Sequence, residues 1–66
     1  MTKYRLNQDS FNRSKDEVLT RDELLNELRL AILARYPLGS EGWIESKVKM
    51  QLKNGLKLSH ITEVEE

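Results

Sequence analysis

The stretch from Ser14 to Gly39 constrains this chain more than any other. Two capping boxes open it, Ser14-Lys-Asp-Glu17 and Thr20-Arg-Asp-Glu23. In such a box a hydroxyl and a carboxylate three residues apart each accept the other residue's backbone N–H. Acidic residues in the first turn also suit the positive end of a helix dipole. The run Asp22–Arg35 consists mostly of strong helix formers. Arg35 falls in the last turn, and Pro37 and Gly39 stop the pattern. A helix is expected over residues 15–36, starting at either box.

On a helical wheel Val18, Leu24, Leu25, Leu28, Ala31, Ile32 and Tyr36 share one broad arc, the expected core stripe. Leu19, Leu30 and Leu33 fall on the opposite side. Burying one leucine contributes roughly 1.5–3 kcal/mol, so this second patch asks for a cover. One cover is the N-terminal segment, through Tyr4, Leu6 or Phe11. The other is a partner, most simply a second copy, because a two-fold axis makes one patch its own complement. Leu19, Leu30 and Leu33 are therefore candidate partner-binding residues, and a homodimer is expected.

The flanks are plainer. Residues 1–7 alternate as a short strand, and residues 7–14 are polar and turn-prone. Phe11, alone in that loop, is expected to pin it to the core. Residues 62–66 are expected to fray.

Residues 43–61 admit two structures. Ile44, Val48, Met50 and Leu52 alternate with Glu45, Lys47, Lys49, Gln51 and Lys53, and Leu56 and Leu58 continue beyond. A period of two predicts a β-hairpin. A three-residue loop at Lys53-Asn54-Gly55 would put every apolar residue on one face. The fold expected on this basis is a small α+β domain of order (β)αββ, one long helix packed on a C-terminal hairpin. The alternative is an all-α helical hairpin. Ser40 would cap its second helix, and Ile44, Val48 and Leu52 would recur every fourth residue.

The composition narrows the chemistry. With 66 residues, one domain is expected. A chain this short buries roughly 60% of its unfolded surface, which leaves little volume for a substrate pocket. There is no cysteine and a single histidine, His60, so thiolate and His-cluster metal sites are excluded. No catalytic constellation, phosphate loop or metal-binding motif is present. No enzyme, no cofactor and no small-molecule substrate are expected. No apolar run approaches the ~18–20 residues of a membrane span, and the start lacks the apolar region of a signal peptide. A cytoplasmic protein that does not engage membranes is expected.

Eleven basic and eleven acidic residues cancel, which argues against a general polyanion binder. The charges are segregated, however. On a hairpin, Lys47, Lys49 and Lys57 would form an open basic face, a candidate nucleic-acid contact. Solvent faces of strands also carry lysine simply to discourage aggregation. Trp43 falls on that same side, away from Ile44. It is either packed locally or an interface anchor, so it joins the candidate partner-binding residues.

The order helix, aromatic-Pro, strand, Asn-Gly-Leu, strand over Leu28–Leu58 resembles the DinI-like family of SOS-response modulators. That family's closing acidic C-terminal helix has no counterpart here, and the loop after Pro37 is long. The function expected is that of a small regulatory or adaptor protein that binds another protein or itself. Its size and lack of enzyme motifs are typical of bacterial and phage accessory proteins. The alternative is a small nucleic-acid-binding protein that uses the lysine face.

Overall fold

The computed structural model describes residues 1–65. Five elements follow in order: strand β1 (Thr2–Leu6), strand β2 (Val18–Thr20), helix α1 (Arg21–Arg35), helix α2 (Glu41–Lys57) and strand β3 (Ile61–Glu65). The architecture is α+β, two helices on one antiparallel sheet of order β2-β1-β3.

The α+β class matches the expectation, but the hairpin over residues 43–61 does not form. That segment is helix α2 followed by strand β3. Ser40 caps α2, its hydroxyl accepting the Trp43 N–H at 3.3 Å. Ile44 and Val48 are buried, and Leu52 and Leu56 pack beside them. Local composition favours this outcome, because glutamate, lysine, glutamine, methionine and leucine are good helix formers. The β-branched residues that favour strands are scarce in α2, where they are Ile44 and Val48. With α2 helical, the strands behind the DinI-like resemblance are absent.

The expected frayed tail is instead β3, apart from Glu66, which lies outside the described residues. β3 runs antiparallel to β1 and sets Ile61 opposite Leu6 and Glu63 opposite Tyr4. On the other side of β1, Tyr4 faces Leu19. Tyr4, Leu6, Leu19 and Ile61 therefore share the face beneath the helices, and all four are buried. Leu24, Leu28 and Ile32 of α1 and Ile44 and Val48 of α2 close the core.

Helix α1 begins at the second capping box. Thr20 and Glu23 exchange both bonds, the Thr20 N–H to Glu23 Oε1 at 2.9 Å and the Glu23 N–H to Thr20 Oγ1 at 3.2 Å. The first box builds a turn, with the Glu17 N–H donating to the Ser14 carbonyl at 3.2 Å. Strand pairing draws Val18-Leu19-Thr20 out of the expected helix, since it buries Leu19 against Tyr4. Of the expected stripe, Leu24, Leu28 and Ile32 are buried and Leu25 is half-buried, whereas Val18, Ala31 and Tyr36 are exposed.

The β1–β2 connection ends in a tight turn at Ser10–Arg13. Reciprocal backbone bonds of 3.0 and 2.7 Å close it, and Phe11 and Asn12 hold φ of 54° and 61°. Both central residues are left-handed, as a type I′ turn requires. Phe11 packs on the core, as expected.

Candidate protein-binding surface

The loop between the helices is short and tightly held. The Tyr36 N–H donates to the Ile32 carbonyl at 2.8 Å, and the Gly39 N–H to the Tyr36 carbonyl at 3.1 Å. A Cβ at Gly39 would lie 3.0 Å from both Ile44 Cδ1 and the Trp43 ring. A glycine here is what lets the loop close on the indole. Trp43 in turn meets Tyr36 edge-to-face, with ring centroids 5.1 Å apart and planes at 79°. The Lys47 ammonium lies 5.4 Å from the Trp43 ring centroid, within range of a cation–π attraction.

This cluster is not sealed. Trp43 is 39% exposed, Tyr36 50% and Leu38 99%. The tip of the helical hairpin therefore presents two aromatic rings in mutual contact and a bare leucine, with a cation at the margin. Trp43 stands out in the sequence, whereas Tyr36 falls in the expected core stripe and Leu38 belongs to no apolar pattern. The usable signal was the Tyr-Pro-Leu-Gly run, because a proline-stopped helix leaves its last aromatic beyond the packed turns.

The other candidate residues are dispersed. Leu19 is a core residue of β2, not part of a helical patch. Leu33 is half-buried and packs on the core, while Leu30 stays exposed on α1. The three-leucine surface expected to bind a second copy is thus not assembled. The lysine face is broken up as well. Lys47 and Lys49 lie about 200° apart around α2, at about 100° per residue. Lys47 turns to Trp43, whereas Lys49, Lys53 and Lys57 follow one another at every fourth position. His60 is exposed.

Two further features complete the surface. Arg29 Nε donates to Glu45 Oε1 at 2.7 Å and ties α1 to α2. That bond holds the Glu45 carboxyl below its ordinary range and pushes the Arg29 guanidinium up. A cleft of about 240 Å³ opens between the Phe11 turn and the helices, floored by Leu24, Leu28 and Leu52 and edged by Gln8, Gln51 and His60. Among the described residues no three His, Asp or Glu side chains gather as a metal site would require. No helix among them is long and apolar enough to cross a membrane.

Comparison with protein-family models, curated proteins and solved structures gave no match to this chain.

Proposed function

We propose that this chain is a protein-binding module of regulatory or adaptor type, and that the tip of its helical hairpin makes the contact. The exposed trio Tyr36, Leu38 and Trp43 carries the reading. Tyrosine and tryptophan offer large contact area at low conformational-entropy cost, and Tyr36 and Trp43 already meet edge-to-face. Tryptophan and tyrosine are also the residues that most often dominate interface energetics. Apolar side chains exposed together mark an interaction surface more strongly than single exposed residues do. The complementary partner face would be apolar at its centre and acidic at its rim, to meet Lys47.

A nucleic-acid reading would rest on the Lys49, Lys53 and Lys57 stripe. Phosphate contact by three lysines weakens steeply with salt, whereas apolar burial does not. The test is affinity capture from lysate at low and physiological salt, with and without nuclease. Wild-type protein is compared with Leu38→Asp, a change at a solvent-facing position that leaves the fold intact. Protein capture that survives salt and nuclease but is lost in Leu38→Asp supports the reading. Capture abolished by nuclease, or equal in both proteins, refutes it.

A further inference from the structure

The two edges of the sheet are unequal. Strand β2 is three residues long, and the Thr20 N–H at its end is occupied by the Glu23 carboxylate. Strand β3 is five residues long and bonded on one side only. The Asn7 N–H donates to the His60 carbonyl at 3.0 Å, which fixes the alternation of the ladder. Thr62 and Val64 then bond to β1, and the backbone groups of Ile61, Glu63 and Glu65 point away from the sheet. Ile-Thr-Glu-Val-Glu has no proline, bulge or lysine, and its two glutamates are the charges that guard this edge against a like strand. Its charges are all acidic. Glu65 takes the Thr2 hydroxyl at 2.9 Å and the amino terminus at 3.3 Å. Glu63 is exposed and has no hydrogen bond or ion pair among the described residues.

A second copy fits this edge poorly. A two-fold mate would run antiparallel, and residues with outward backbone groups would pair with one another. Centred on Glu63, that register sets Glu63 against the mate's Glu63. Shifted by two toward the C-terminus, it sets Glu63 against the mate's Glu65. Like charges directly opposite are destabilising. Shifted the other way, only three residues pair.

We propose that the free edge of β3 takes up an extended basic segment of another protein as a fourth strand. Main-chain bonds to Ile61, Glu63 and Glu65 would supply the affinity, as in other strand additions. Lysine or arginine opposite Glu63, and two residues along toward Glu65, would supply the selectivity. The site is separate from the helical-hairpin tip, so it stands or falls independently of the function proposed above.

The test uses the full chain, labelled with nitrogen-15, and two blocked heptapeptides at millimolar concentration. One is Thr-Lys-Val-Lys-Val-Lys-Thr, and the other carries glutamate in place of lysine. The basic peptide should slow amide exchange at Glu63 and Glu65 by at least about tenfold, and change Thr62 and Val64 little. The acidic peptide should have no effect. Glu63→Lys, a change at an exposed position, should abolish the protection, while Leu38→Asp should retain it. Absence of protection with the basic peptide, or equal protection by both peptides, overturns the proposal.

Discussion

Gly55 and Ile61 meet across the turn that joins α2 to β3: a Cβ at position 55 would stand 3.4 Å from Ile61 Cδ1 and Cγ1. Gly55 lies inside the helix, and none of the glycines has positive φ. Its carbonyl accepts the His60 N–H at 2.9 Å, and Ser59, with φ of 60°, makes the left-handed turn instead.

This geometry gives Gly55→Ala a definite sign. Glycine in a helix interior is destabilising by roughly 0.5–1 kcal/mol relative to alanine. The new methyl group would make ordinary contact with Ile61. Gly55→Ala should therefore raise the midpoint of thermal unfolding by a few degrees, on the order of 2–8 °C for a domain of this size. A hairpin with Gly55 at a left-handed position would respond in the opposite direction. A lower midpoint in the alanine variant would count against helix α2 ending as described.

The hairpin and the helix were hard to separate in sequence for a simple reason. Ile44, Val48, Leu52 and Leu56 recur every fourth residue, and four is both a multiple of two and close to one helical turn. The apolar set therefore satisfies both periods. Residues 21–35 carried no such ambiguity, because their caps and their proline stop agreed with their composition. Leu19 leaves the helical pattern because it lies in strand β2, where the period is two. Once Thr20 is the N-cap, its neighbour obeys the period of β2, not that of α1. Strand β3 was invisible locally, because its acidic sequence gains order from partners distant in the chain, the edge of β1 and, through Ile61, the core beneath α2. For the candidate surface, Trp43 was legible as a large residue outside the core pattern. Tyr36 and Leu38 lie outside the packed turns because α1 ends at Arg35, and their signal in the sequence is the Tyr-Pro-Leu-Gly stop rather than the apolar period.

The three leucines once grouped on a single face now have sharply different expected roles. Leu19 is 1% exposed and lies against Tyr4 in the sheet. Leu19→Ala leaves a cavity in a small core and should destabilise by about 2–5 kcal/mol. Leu30, 55% exposed, should tolerate Leu30→Lys within about 0.5 kcal/mol. Urea unfolding of the two variants checks both figures. Comparable losses at the two positions would mean that Leu30 is covered, and sedimentation of the wild-type chain would then show whether a second copy covers it.

The capping box at Thr20 makes stability depend on pH in a predictable direction. The Glu23 carboxyl is held below its ordinary value of 4.5, first by the Thr20 backbone N–H and then by the Thr20 hydroxyl. A carboxyl depressed in the folded state binds its proton more readily in the unfolded chain. Its contribution is therefore complete above the unfolded value and fades as pH falls through the lower folded value. Glu23→Gln keeps a side chain that can accept the Thr20 N–H but cannot ionise. The variant should be less stable than the wild type near neutral pH, and the two should converge as the medium is made acidic. Thr20→Ala removes the hydroxyl half of the box and should cost about 1 kcal/mol at neutral pH. Urea midpoints collected from about pH 7 down to about pH 3 provide the measurement. A gap between wild type and Glu23→Gln that stays constant across that range would show that Glu23 takes no ionised role in holding the start of α1.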